Sequence, residues 1–73
     1  MYNILIYDSA DNVREYQDIV KVAYINNGKC ELTGEAIFTG CYPFDRPLYL
    51  YSEKVAYIIK PDAISKIQVE KTD

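Results

Sequence analysis

The chain contains no histidine, and this absence limits the chemistry that it can perform. Histidine is the side chain most often used as a general base near neutral pH, and it completes most nucleophile pairs and many zinc sites. Carboxylates could still do acid-base work, but those near the start of the chain are equally typical of turns and solvated surface. They are Asp8, Asp11, Glu15 and Asp18. The sequence therefore predicts no catalytic residues and a protein that is not an enzyme.

Glycine and cysteine are also scarce, with three and two residues in the 73-residue chain. A phosphate-binding loop needs clustered glycines followed by lysine and a hydroxyl residue, and these glycines stand singly. Cys30 and Cys41 lack the spacing of a metal knuckle, so we expect both to be reduced and buried. Residues 8–12 lack the glycine and the glutamate of a calcium loop. We predict no cofactor and no metal.

A basic leader and a long apolar run are missing as well, because strand-like residues follow Met1 at once. We therefore expect a cytoplasmic protein without membrane contact. The formal net charge is −3, from 8 basic and 11 acidic residues, which argues against a dominant electrostatic grip on nucleic acid. With 49% hydrophobic residues the chain can build a core, and we expect one small domain, residues 1–73.

Short alternating runs dominate the remaining sequence and predict β-strands. Residues 2–8 carry bulk on both faces, which is typical of a central strand. Residues 29–39 alternate most clearly, and Gly34 within them indicates a bulge or a bend. The other runs are residues 48–52, 55–60 and 65–70, with a loop at residues 40–47 punctuated by prolines.

Residues 11–25 support two interpretations. Apolar residues from Val13 to Tyr24 occur at helical spacing, with Asp11 as a possible N-cap. β-branched and aromatic residues also crowd residues 19–25, and Asn27-Gly28 suits a tight hairpin turn. We favour a strand at residues 19–26, with a helix at about 11–25 as the α+β alternative.

The order of five strands, a bend, a long loop and a proline-containing turn resembles the SH3-like or Sm-like small barrels. The resemblance implies a mainly β fold, either a small curled antiparallel sheet or a five-stranded barrel. We expect a single 3₁₀ turn near Pro61, at residues 61–64. The predicted core is Ile4, Ile6, Val20, Val22, Leu32, Phe38, Leu50, Ile59, Ile67 and Val69.

The segment around Pro43 and Pro47 is the most distinctive candidate for a binding surface. Tyrosine and arginine are enriched at interface hot spots, and prolines restrict the loop that would present them. The predicted partner-binding residues are Tyr42, Phe44, Arg46, Tyr49 and Tyr51. The same residues could instead complete a small core. We expect a non-catalytic protein-interaction module, such as a small bacterial or phage inhibitor or adaptor.

The sequence is also compatible with two other functions. A nucleic-acid-binding small barrel would need the C-terminal lysines to share one face with Tyr49, Tyr51 and Tyr57. Those lysines are Lys54, Lys60, Lys66 and Lys71. A homo-oligomer formed through exposed strands would turn the aromatic segment into a self-contact.

Overall fold

The structure is a computed structural model that describes residues 1–61 and 64–72. Within them the chain forms β1 (Tyr2–Asp8), β2 (Val13–Ile19), β3 (Lys21–Ile25), β4 (Lys29–Thr33), α1 (Glu35–Thr39), β5 (Leu48–Tyr51), β6 (Ala56–Ile59) and β7 (Ile64–Lys71). The strands make two antiparallel sheets, ordered β2-β1-β7 and β4-β3-β5-β6. The prediction of a mainly β fold is confirmed, and β1 is the central strand of its sheet.

The core lies between the two sheets. Its buried members come from β1, from the end of β2, from β3 and β5, and from α1: Ile4, Ile6, Ile19, Val22, Ile37, Leu48 and Leu50. Because both sheets supply these side chains, the sheets pack face to face over one apolar layer. At one side Tyr16 of β2 meets Tyr57 of β6 edge to face, with ring centroids 5.0 Å apart. At the other, α1 contacts β4 and β7.

The chain passes from the first sheet to the second at a corner after β2. Gln17 and Asp18 together oppose Asn3, which makes a β-bulge. Asp18 has a φ of 58°, and its N–H donates to Oδ1 of Asn3 at 3.2 Å. Aspartate is among the few non-glycine residues that enter this region readily. The bulge shifts the alternation by one residue, so Ile19 is buried in the core.

The helix interpretation of residues 11–25 is therefore wrong, because β2 and β3 occupy this segment. The favoured strand at residues 19–26 is right for β3, whereas Ile19 belongs to β2. The predicted Asn-Gly turn is confirmed. Asn27 and Gly28 both have positive φ, 57° and 121°, and the N–H of Asn26 donates to the Gly28 carbonyl at 2.8 Å.

The strand predicted at residues 29–39 is only half correct. β4 ends at Thr33, and Gly34 has a φ of 60°, a conformation that favours glycine. The N–H of Ile37 donates to the Gly34 carbonyl at 3.0 Å, and this turn leads into α1. The helix buries Ile37 completely and leaves Phe38 43% exposed. Phe38 was predicted in the core, and that prediction is wrong because the helix reverses the alternation.

The rest of the predicted core is mostly correct. Val20 is the other error, since it lies at the corner and is 37% exposed. Four predicted residues are buried, Ile4, Ile6, Val22 and Leu50, and four are half-buried against them, Leu32, Ile59, Ile67 and Val69. Three core residues were not predicted, Ile19, Ile37 and Leu48.

The barrel prediction is not confirmed, because the described strands form two open sheets that do not close into a barrel. The predicted 3₁₀ turn at residues 61–64 falls on Asp62 and Ala63, which lie outside the described residues, and Ile64 already belongs to β7. No helix in the described part of the chain is long and apolar enough to cross a membrane.

Replacing Ile19 by Ala should test the corner. Ile19 is fully buried, so we expect Ile19→Ala to lower the free energy of unfolding by about 2–5 kcal/mol. The matched change at the adjacent, exposed position, Val20→Ala, should cost less than about 1 kcal/mol. Urea unfolding followed by circular dichroism measures both. Equal losses would contradict the register of the corner.

Candidate functional site

β5 presents two tyrosines on the side of its sheet that faces away from the core. Leu48 and Leu50 are fully buried, whereas Tyr49 and Tyr51 are only half-buried. Successive side chains of a strand point to opposite faces, so burying the leucines places both tyrosines outward. The predicted pair Tyr49 and Tyr51 thus lies on one surface, and it is held there by the core on the other side.

The neighbouring strands extend this surface. Tyr49 pairs with Ala23 of β3 and Ile58 of β6, so all three side chains share the outward face. Ile25 lies two residues beyond Ala23 on the same face of β3. We call the set Ala23, Ile25, Tyr49, Tyr51 and Ile58 the outer aromatic face. Ala23 is only 2% exposed, which indicates that its larger neighbours cover it.

The outer aromatic face is notable for its exposed aliphatic side chains. Ile58 is 68% exposed and Ile25 is 55% exposed, and these are the highest values among the exposed large hydrophobic residues of the described chain. Single apolar residues on a surface are ordinary, but a set aligned on adjacent strands is more informative. The sequence interpretation missed Ile25 and Ile58. The period-2 pattern of their strands carried the signal, but only the strand pairing brings them beside Tyr49.

Charged side chains border this face along β3 and β4. Nζ of Lys21 lies 3.3 Å from Oε2 of Glu31, and Nζ of Lys29 lies 3.2 Å from the same oxygen. The hydrogen bonds from Lys29 and Lys21 lower the pKa of Glu31. Nζ of Lys21 also lies 4.6 Å from the ring centre of Tyr51, a cation-π contact. One side of the outer aromatic face is therefore polar, with two lysines sharing one carboxylate.

Tyr42, another predicted partner-binding residue, is engaged with the interior. Its hydroxyl donates to the Ile37 carbonyl at 2.6 Å, and its ring packs against the core cluster. Burial raises the pKa of the Tyr42 hydroxyl well above its ordinary value. The hydrogen bond holds the Tyr42 side chain against α1, which favours a structural role for Tyr42.

Arg46 fastens the loop to the β3–β4 hairpin. Its Nη1 donates to the Ile25 carbonyl at 2.9 Å and to Oδ1 of Asn26 at 3.1 Å. Its Nε and Nη2 donate to the carboxylate of Asp45 at 3.0 and 3.3 Å, which lowers the pKa of Asp45. Phe44 in the same loop is 45% exposed. The five predicted site residues thus divide into an outward pair, an exposed loop phenylalanine, a loop anchor and a core tyrosine.

The acidic segment at the start of the chain forms a turn. The carboxylate of Asp8 accepts hydrogen bonds from the N–H of Ala10 at 2.9 Å, from the N–H of Asn12 at 3.0 Å and from Nδ2 of Asn12 at 3.3 Å. The bond from the Asn12 N–H is the largest cause of the lowered pKa of Asp8. These contacts give Asp8 a local structural role.

The C-terminal lysines are dispersed over the molecule. Lys66 lies over the ring of Tyr7 at 4.7 Å, and Lys71 pairs with Glu35 at 3.0 Å. Lys54 is in the β5–β6 turn, and Lys60 follows β6. Lys66 and Lys71 are thus engaged with Tyr7 and Glu35 on the other sheet and α1, and the nucleic-acid interpretation stays a prediction.

Comparison of the chain with protein-family models, with curated proteins and with solved structures finds no match. Among residues 1–61 and 64–72, no group of three cysteine, aspartate or glutamate side chains is placed to hold a metal ion. Cys30 and Cys41 are free thiols, the first half-buried and the second exposed. The expectation that both are buried is therefore wrong for Cys41.

Replacing Arg46 should loosen the loop while leaving the sheets intact. Arg46→Ala removes the donors to Ile25, Asn26 and Asp45, so we expect faster amide exchange in residues 44–46 and a decrease of a few degrees in Tm. Arg46→Lys should behave similarly, because a lysine lacks the planar fork that reaches three acceptors. Unchanged exchange in both variants would contradict the anchoring role.

Stability should fall in acid. The pKa values of Asp8, Glu31, Glu35 and Asp45 are lowered by hydrogen bonds from Asn12, Lys29, Lys71 and Arg46 respectively. A pKa below its unfolded value contributes stability above the unfolded pKa, and this is lost as pH falls through the folded pKa. We expect a constant free energy of unfolding from about pH 7 to about pH 5 and a decline below about pH 4. Urea titrations at several pH values measure it, and Glu31→Gln should show a smaller decline.

Proposed function

We propose that the protein is a non-catalytic protein-interaction module that binds its partner through the outer aromatic face. The single observation that carries the proposal is the presence of two highly exposed isoleucines on the same outward face as Tyr49, across three strands. Removing apolar groups of this kind from water lowers the free energy of the complex with a partner. Tyr49 and Tyr51 add large, rigid contact area with a polar tip.

The surroundings of this face support a specific contact. The cluster of Lys21, Glu31 and Lys29 forms a polar border on one side, which resembles the polar rim around an apolar interface centre. Phe44 lies in the loop that Arg46 ties to the end of β3 carrying Ile25. The phenylalanine therefore belongs to the neighbourhood of the face, and we include it as a peripheral contact.

A domain of this size would act by occupying a surface of its partner. It would be an inhibitor if it covers the functional site of its partner and an adaptor if it leaves that site accessible. Residues that join strands in a rigid sheet lose little conformational freedom on binding, which favours affinity from a small area. A cytoplasmic location and a homo-oligomer stay predictions beside this proposal.

Substitutions on the outer aromatic face should separate binding from folding. We expect Tyr49→Ala and Ile25→Ser each to weaken partner binding by roughly 1–4 kcal/mol. Ile25→Ser should change stability by less than about 1 kcal/mol, because the side chain is largely exposed already. Proteins captured from host extract by the wild-type chain identify the partner, and calorimetry with that purified partner measures the loss.

Val13→Ser is the matched control. Val13 is 48% exposed on β2 of the other sheet, so its replacement removes a comparable apolar group away from the outer aromatic face. We expect it to bind as the wild type does. Partner binding that survives both Tyr49→Ala and Ile25→Ser, on variants with unchanged circular dichroism, would reject this surface.

A further inference from the structure

The two sheets have four edge strands, and three of them contain features that discourage a further strand. Charged side chains within an edge strand and β-bulges are both such features. The charged residues are Arg14, Glu15 and Asp18 in β2, Lys29 and Glu31 in β4, and Lys66, Glu70 and Lys71 in β7. β2 also has the bulge at Asp18, and β7 has a register shift opposite Asp8.

β6 is the exception. Its sequence, Ala-Tyr-Ile-Ile, has no charge and no proline, and its pairing with β5 is regular along all four residues. Ile58 in its middle is 68% exposed. In the described part of the chain, β5 is its only strand partner, so its other edge presents unpaired backbone groups. This edge has the properties of a strand that accepts another strand.

A groove runs beside this edge. It has a volume of about 430 Å³ and lies between β6 and the strands β1 and β2 of the other sheet. Apolar side chains line much of it, including Ile6, Ile59 and Ile64, together with the ring of Tyr16. The volume lies within the range of ordinary ligand sites, and a side chain of an added strand could enter it.

The groove has an excess of positive charge. Arg14 and Lys60 both line it, and neither forms an ion pair within residues 1–61 and 64–72. Among the described residues that line the groove, the acidic one is Asp8, whose carboxylate already accepts three hydrogen bonds from Ala10 and Asn12. Arg14 acts on Asp8 through space, but more weakly than those hydrogen bonds. In a chain with a net charge of −3, this local excess calls for an anionic ligand.

We propose that β6 accepts an extended segment of the partner protein as an added strand, and that an acidic side chain of this segment binds between Arg14 and Lys60. The inference rests on the proposed function, because it names the kind of partner segment that such a module takes. Backbone hydrogen bonds along β6 would supply affinity, and the cationic groove would select the sequence. The edge contact differs from the contact at the outer aromatic face, which lies on the face of the sheet, although Ile58 of β6 belongs to both.

A second copy of the chain fits less well. It would bring its own Arg14 and Lys60 to the contact, and its β6 has no acidic residue to place between them. A small organic anion could enter the groove, but it would leave the backbone groups of β6 unpaired. An extended acidic segment satisfies both features at once.

Selection from a displayed library of random ten-residue peptides tests the proposal, with the full chain immobilised. We expect the enriched peptides to alternate apolar residues and to contain aspartate or glutamate. A synthetic copy of the most enriched peptide should protect backbone amides of β6 from hydrogen exchange. Arg14→Gln and Lys60→Gln should each weaken its binding by roughly three- to tenfold. Lys71→Gln, which removes one positive charge from the end of β7 far from Ile64, is the control and should bind as the wild type does.

Several results would overturn the proposal. Enrichment of peptides without acidic residues would remove the role of the groove, and so would equal binding by Arg14→Gln, Lys60→Gln and Lys71→Gln. Protection away from β6, or protection of β6 by self-association in the absence of peptide, would remove strand addition. The same holds if phenylacetate competes fully with the peptide while β6 amides stay unprotected.

The experiment also separates this inference from the outer aromatic face. Peptide binding that depends on Arg14 and Lys60 but is unaffected by Ile25→Ser would support strand addition even if the outer face holds no partner. Loss of the natural partner on Ile25→Ser, with no selected peptide at β6, would leave the proposed function standing and reject strand addition.

Discussion

The whole arrangement depends on the corner between β2 and β3, where the chain leaves one sheet and enters the other through Val20 alone. The positive φ of Asp18 and the hydrogen bond from its N–H to Asn3 hold the bulge on the side of the first sheet. The N–H of Val20 donates to the Tyr51 carbonyl at 2.8 Å and holds the second sheet. The residues on either side of this corner, Ile19 and Val22, are both fully buried. The segment that carries the chain from one sheet to the other therefore also supplies part of the core.

The corner also determines what faces outward. Once Val22 and Leu50 point into the core as a cross-strand pair, Ala23 and Tyr49 must point away from it. A register slip of one residue would bury the tyrosines and expose the leucines of β5, at a cost in apolar burial that a small core could not sustain. The strand register that places residues in the core therefore also places the residues of the outer aromatic face, although that face contributes little to the core.

The sequence predicted what depends on local pattern and missed what depends on a change of pattern. Alternation predicted the central strand β1, and Asn27-Gly28 predicted the hairpin, because both signals lie within a few residues. Ile19 and Val20 exchanged places because a bulge resets the alternation, and nothing in Gln17-Asp18 requires a bulge until Asn3 is beside it. Phe38 and Ile37 exchanged places because Gly34 allows either a bent strand or a turn into a helix.

The candidate site stays a prediction, and its residues depend on different kinds of signal. Tyr49 and Tyr51 were predicted because tyrosines are enriched at interfaces and lie near Pro43 and Pro47, whereas Ile25 and Ile58 reach the same face only through pairing between strands. The structural role of Tyr42 depends on the Ile37 carbonyl at α1, and that of Arg46 depends on the hairpin carbonyl of Ile25. Acceptors of this kind belong to backbone that the sequence alone does not place.

Some aliphatic residues of this domain lie outside its core. A domain this small has few positions for a core, and every aliphatic residue placed outside it forgoes stabilisation. Ile25 and Ile58 nevertheless lie on the outer face of the four-stranded sheet, and Ile58 lies on the one edge strand without a charge. The other edges carry lysines and glutamates, so the chain has the means to protect an edge and does not use them at β6. The strand addition proposed above would cover this exposed apolar edge, which a charged substitution within β6 would block.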